Sequence, residues 1–169
     1  MRLLRWLGAA VVLLLVAAAG IWIIGSLLPV EHRATVSRTV PADVEVVWQR
    51  IDRVDGWPTW RNVRVDMLSG DSVRVYDAWE TLTYRIERPR PRTLVTEIVT
   101  AGLPFGGRWI WSVAPDDEGA VVTLVEEGEV YDPFFRFFSR FVFGHDSTMR
   151  SVLDELEASF EEGSAPDTP

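Results

Sequence analysis

The hydrophobic pattern changes its period four times along the chain. From Trp6 to Leu28 there is no formal charge at all over 23 residues, nearly all apolar. As a helix this run is about 35 Å long, enough to cross a bilayer core with some tilt. Arg2 and Arg5 precede it; Pro29, Glu31, His32 and Arg33 follow it. The pattern predicts an uncleaved, single-pass anchor in the cell membrane through residues 6–28. The positive-inside tendency puts the N-terminus in the cytoplasm and the C-terminal domain outside it. The rival is a signal peptide cleaved near Ala17-Ala18-Ala19. It would leave Ile21-Trp22-Ile23-Ile24 at the mature end and is longer than a signal h-region usually is.

Beyond Pro29 the period drops to two. Thr35–Val40 reads as a strand. Pro41 suits the first turn of a helix, and Val44, Val47, Trp48 and Ile51 then recur at helical spacing. Asp55-Gly56-Trp57-Pro58 breaks that pattern, and Trp57–Trp60 reads as a second short turn. Alternating runs follow at Val63–Met67, Ser72–Tyr76, Glu80–Glu87 and Leu94–Val99. A further strand opens at Gly106-Gly107 and carries Trp109, Trp111 and Val113 on one face. Pro115–Gly119 is a turn, and Ala120–Val130 is the last strand. Short turns between such runs predict antiparallel pairing.

The last change of period is back to 3.6. Asp132 is placed to cap and Pro133 to open a helix. Phe134, Phe135, Phe138, Phe141, Val142, Met149, Val152, Leu153, Leu156 and Phe160 fall within one arc of about 120°, which predicts a long helix with a core-facing stripe. Gly144 is a place where it bends. Residues 161–169 are polar and acidic and are predicted to be disordered. The chain thus divides into an anchor and short linker (1–31), one domain (32–160) and a tail (161–169).

Charge and composition narrow the partners. All 17 basic residues are Arg; without Arg2 and Arg5, 15 remain against 25 acidic ones. A domain this acidic is a poor match for nucleic acid, whose binding depends on neutralising phosphates. There is no Cys, and His32 and His145 are the only histidines, which argues against disulfides, thiolate metal sites and multi-histidine metal sites. No cofactor or metal is predicted.

The order of strand, short helices, six strands and a long helix describes a curved antiparallel sheet wrapped around a C-terminal helix. Val40-Pro41-Ala42-Asp43-Val44-Glu45-Val46-Val47-Trp48, Trp57-Pro58-Thr59-Trp60-Arg61, Gly106-Gly107-Arg108-Trp109, Glu127-Gly128 and Asp132-Pro133-Phe134-Phe135-Arg136-Phe137 carry a more specific likeness. From about Thr35 to Phe160 the chain resembles the START-like helix-grip superfamily (SRPBCC), which includes polyketide cyclase/dehydrase and lipid-transport proteins. The resemblance implies an α+β helix-grip fold and an apolar ligand held between sheet and helix. It implies no particular activity, because the superfamily has no shared catalytic signature.

Eight Trp and eight Phe make the aromatic load high. Tyr84, Trp109 and Trp111 from the strands, with Phe138, Phe141 and His145 from the last helix, are the candidate lining of a cavity for a hydrophobic small molecule or lipid. For any one aromatic, ordinary core packing competes with this reading. A Val142→Trp substitution is expected to fill the cavity. His145 would orient a ligand carbonyl or act as a base, against the plainer reading of a satisfied core or rim residue. Within Glu126-Glu127-Gly128-Glu129, alternation leaves either Glu126 alone or Glu127 with Glu129 on the interior, and Gly128 is a candidate bulge. Gly102–Gly107 lacks phosphate-loop spacing and reads as a lip over the cavity. No serine sits in a nucleophile elbow. No catalytic residue is assigned. A membrane-anchored binding or carrier domain is the preferred reading, with a cyclase/dehydrase-type enzyme and a filled-core interaction domain as alternatives.

Overall fold

A computed structural model describes residues 2–78, 80–144 and 146–161. Helix α1 (Arg2–Leu27) runs straight into β1 (Glu31–Val40), which begins four residues earlier than Thr35. Helix α2 (Val44–Asp52) starts one turn after Pro41, because the Asp43 carboxylate caps it by accepting from the Glu45 N–H at 2.8 Å. A 3₁₀ turn spans Val54–Thr59. Strands β2 (Arg64–Met67), β3 (Ser72–Tyr76), β4 (Thr81–Arg90), β5 (Thr93–Ile98), β6 (Phe105–Asp116) and β7 (Gly119–Val130) follow.

All seven strands join one curved antiparallel sheet in the order β1-β7-β6-β5-β4-β3-β2. Its concave face is apolar. Val36, Leu124, Trp111 and Leu94 form one row across four strands, and all are buried. Helix α4 (Ser147–Glu161) crosses this face and buries Met149, Val152, Leu153 and Leu156. Arg38 of β1 clamps its polar side through Asp154 and Glu157, and Arg50 stacks on Phe160 at 4.5 Å. The helix and the sheet together make the α+β grip.

The C-terminal helix is not one rod. Helix α3 (Pro133–Phe138) is capped by Asp132, whose carboxylate accepts from the Phe135 N–H at 3.1 Å. It passes into a π-helical turn at Ser139–Phe143, and the backbone turns at Gly144 with φ +74°. Helix α4 therefore starts afresh, and the expected stripe splits in two. Met149 onward faces the core. Phe134, Phe135, Phe138, Phe141 and Val142 do not: they remain 37%, 55%, 37%, 59% and 59% exposed. The physical reason is that α3 packs chiefly on α1 and meets the sheet only slightly, at β7. The periodicity is real, but its two halves serve different surfaces.

Gly128 is not a bulge. The β1–β7 and β6–β7 registers run through it unbroken, pairing it with His32 and Gly107. It is glycine because a Cβ there would lie 2.3 Å from the His32 ring. The expected tail falls almost wholly outside the described residues, as does His145.

Candidate ligand pocket

The pocket lies at the end of the sheet where β1 begins. On the concave face, the row beyond Trp111 holds Ala34, Glu126, Trp109 and Thr96. The next row holds His32, Gly128 and Gly107, and the His32 ring lies over Gly128. A hollow of about 320 Å³ lies at this end of the sheet, with His32, Gly107, Trp109 and Glu126 in its wall. That is the lower end of the range for small-molecule sites. Leu82, Tyr84 and Ile98 wall it on the β4–β5 side, and Trp57 and Arg61 close it from above. Phe135, Ser139, Gly144 and Thr148 form its rim. This is also the end at which β1 leaves α1 and β7 returns towards it. The Gly102–Gly107 stretch contributes Phe105, Gly106 and Gly107 to the wall between this pocket and a shallower, more polar groove outside it.

The aromatic frame holds the polar groups in place. Trp57 donates its indole N–H to the Ile51 carbonyl at 2.9 Å and meets Trp60 and Trp111 at ring distances of 6.5 and 6.4 Å. Trp109 stands edge-on to Trp111 at 6.0 Å. The Arg61 guanidinium lies over the Trp57 ring at 5.1 Å and the Trp60 ring at 5.8 Å, a cation–π arrangement. Its Nε is buried and has no hydrogen-bond partner among the described residues. Burial lowers the Arg61 pKa, opposed by the nearby acidic groups of Tyr84, Glu155 and Asp77. Burial also drives the Tyr84 phenol well above its ordinary value, so it stays protonated and available as a donor. Glu80 at the same wall is raised, first by burial and then by Asp77. Glu126 reaches the pocket edge, 3.4 Å from His32 Nε2.

Of the six residues singled out from the sequence, Tyr84 and Trp109 face the pocket. Trp111 is fully buried one row deeper, in the core. Phe138 and Phe141 lie on the outer side of α3 and the π turn, more than a third exposed. A Trp at position 142 would likewise extend outward and not fill the pocket, because Val142 is 59% exposed. His145 lies outside the described residues. Of the acidic run, Glu126 and Glu129 border the pocket, Glu129 accepting from the Tyr131 hydroxyl; Glu127 sits on the outer face between Arg33 and Arg108. The hydrogen bond from Arg108 holds the Glu127 carboxyl below the usual carboxylate range. It is a surface ion-pair group, not half of a catalytic pair.

Arg61 was missed in the sequence. Its signal was the charge itself, lodged in Trp57-Pro58-Thr59-Trp60-Arg61 where an exposed Arg would need no indole neighbours. The glycine pair was visible only as Gly107 and Gly128 separately; their adjacency depends on β6–β7 register.

Solved structures share this architecture. A START superfamily protein from Mycobacterium smegmatis is 14% identical, with a TM-score of 0.62 over 79% of this chain and 99% of that one. A protein from Mesorhizobium loti is also 14% identical, with a TM-score of 0.61 over 78% of this chain and 98% of that one. The di-domain ARO/CYC StfQ from the steffimycin biosynthetic pathway gives 14% and 0.62 over 80% of this chain and 52% of StfQ, so this chain spans about half of it. At such identities the likeness concerns the fold. No curated protein matches the sequence. Residues 31–161 match the family model described as polyketide cyclase / dehydrase and lipid transport, and the chain belongs to that family.

Proposed function

We propose that this protein is a membrane-anchored binding or carrier domain for an amphipathic hydrophobic ligand, lipid, isoprenoid or polyketide-like, whose oxygen-bearing end is held by Arg61. The observation that carries the reading is the buried Arg61 Nε with no hydrogen-bond partner among the described residues, at the wall of an aromatic pocket. A buried donor left unpaired costs about 1–3 kcal/mol, more for a charged group. A ligand carboxylate, phosphate or carbonyl oxygen removes that cost, and the Tyr84 hydroxyl offers a second donor. The apolar body of the ligand then lies along Leu82, Ile98 and Trp109. Membrane attachment in this reading comes from Arg5–Leu27, a helix long and apolar enough to cross a bilayer. The family is one of hydrophobic-ligand binding and cyclase proteins, which supports the ligand class.

The test is native mass spectrometry of the full chain released from detergent, with oleic acid and methyl oleate as competing probes. Preferential retention of the free acid, lost in Arg61→Met, is the expected result. Equal retention of acid and ester by the parent chain overturns the role of Arg61. Retention of neither overturns the ligand class.

A further inference from the structure

We infer that residues 133–143 are seated in the bilayer surface beside the anchor, so that the pocket opens towards lipid and not towards bulk water. The inference rests on the reading that Arg5–Leu27 crosses a membrane.

Position is the first argument. Helix α3 begins against the last turn of α1, so closely that a Cβ on Gly25 would lie 1.9 Å from the Pro133 carbonyl oxygen. Arg136 donates through Nη1 to the Leu28 carbonyl at 2.9 Å and fastens α3 to the point where the chain leaves α1. Gly25 lies about 4.5 Å along the axis inside Leu28, given a rise of about 1.5 Å per residue. An anchor that exits the hydrocarbon near Leu27 therefore holds α3 at the depth interfacial helices occupy, about 5–10 Å into the headgroup boundary.

Chemistry is the second. The face that α3 and the π turn turn away from the domain carries Phe141 and Val142, each more than half exposed, beside the half-buried Phe137. Phe137 and Phe141 stack at 5.0 Å to form one continuous apolar surface. Residues 133–143 include Arg136 and Arg140 and no acidic residue, within a chain of net charge −8. Aromatic bulk with flanking Arg suits an anionic interface, while the acidic remainder is repelled from it.

The third argument is the pocket. Phe135, Ser139 and Gly144 belong to this same stretch or border it, and they form the pocket rim. His32, on the opposite side of the pocket, follows Leu27 by five residues, no more than about 17 Å of chain. The rim and the anchor exit thus share one end of the sheet. Helix α3 presents its outer side to the acyl chains and its inner side to the pocket, and a lipid enters between the two without crossing water.

The chain has no cysteine, so a single introduced thiol takes a fluorophore alone. The full chain is reconstituted in vesicles of phosphatidylcholine with a minority of phosphatidylglycerol, some lipids bearing a nitroxide high on the acyl chain. A label at Phe141→Cys should lose at least about half as much emission to the nitroxide as one at Leu13→Cys within α1, and little to aqueous iodide, as expected for interfacial depth. A label at Thr148→Cys, on the pocket rim, should behave like Phe141→Cys. One at Asp117→Cys, in the turn at the far end of the sheet, should respond to iodide alone. If the Phe141→Cys label responds only to iodide while Leu13→Cys is quenched by lipid, the seating is overturned and the anchor stands. Shielding of Phe141→Cys from both quenchers overturns it in favour of contact with a second copy. A Thr148→Cys label reached only by iodide overturns the lipid-facing mouth. No lipid quenching at Leu13→Cys overturns the membrane reading on which all of this depends.

Discussion

Arg61 and Glu80 are two side chains whose burial goes against their own chemistry. Arg61 keeps a charge in an aromatic enclosure with its Nε unpartnered among the described residues. Replacing it with Met keeps the stem and removes the charge, so the ligand-free protein should gain about 1 kcal/mol of stability or more, as replacement of buried charges by apolar groups often does. Thermal unfolding of the ligand-free variant checks this, and a lower midpoint would show that the cation–π contacts outweigh desolvation. The same substitution should weaken oleate retention about tenfold, the equivalent of one charge-assisted hydrogen bond. A gain in stability with a loss of binding is the signature of a functional group, not a structural one. Glu80 makes the pH prediction. Burial and then Asp77 raise its pKa above the ordinary glutamate value of about 4.3. In the window above that value the native state holds more protons than the unfolded one, so this group lowers stability as pH rises through it. Glu80→Gln removes the penalty. The variant should therefore be more stable than the parent at neutral pH, and the difference should vanish as pH falls below about 4. A difference that grows in acid would mean the charged carboxylate is stabilised.

At the scale of elements, the two halves of the C-terminal stripe should respond differently to mutation. Leu153 is fully buried on α4 between the helix and the sheet. Leu153→Ala should cost about 2–5 kcal/mol by the loss of buried methyl groups and the cavity left behind. Phe141→Ser removes a larger apolar side chain but one 59% exposed, and should shift the unfolding midpoint by less than about 0.5 kcal/mol. Chemical denaturation of both variants tests this; equal effects would return Phe141 to the core. The contrast also explains what the sequence could and could not disclose. Strands β3 and β7 were legible almost to the residue, because a half-buried strand imprints its burial directly as alternation; β5 was placed within one residue at each end although its first four residues are buried in succession. The antiparallel neighbours and the grip followed from short turns and a final helix; the pairing of β1 with β7, far apart in the chain, did not. Gly144 was legible as a bend, but not as the point where the stripe changes partners, because residues on either side of it keep the same helical period while packing on different surfaces. Periodicity reports that a face is apolar, not what covers it. For the same reason Phe138 and Phe141 were indistinguishable in sequence from Met149. Trp111 and Trp109 alternate identically on β6, yet one row of register decides that the first is core and the second faces the pocket. That row is set by the pairing of β6 with β5 and β7, which a single strand's alternation does not carry.

The whole molecule joins an acidic domain to an apolar helix by a connection of three residues, from Leu27 to Glu31. The sheet, α2 and α4 bury their core without α1, whose apolar stretch Arg5–Leu27 is not buried by the domain. A chain lacking residues 1–30 should therefore fold, and unfold in one cooperative step as a single core does. It should not behave as an inert soluble monomer. Removing α1 also removes the partner that Gly25 and Leu28 give to Pro133 and Arg136, and it bares Phe134, Phe135, Phe137 and Phe141 to water at once. A contiguous aromatic surface of that kind drives association. Sedimentation of the shortened chain should show concentration-dependent dimers or larger species despite its strongly acidic charge. Phe135→Ser with Phe141→Ser should return it to a monomer while leaving the unfolding midpoint nearly unchanged. Vesicles added to the shortened chain should compete with self-association, because lipid and a second copy cover the same face. If the shortened chain is monomeric at all concentrations and ignores vesicles, the exposed aromatics satisfy one another in water. The anchor would then be only a tether, with no part in shaping the surface through which the pocket is reached.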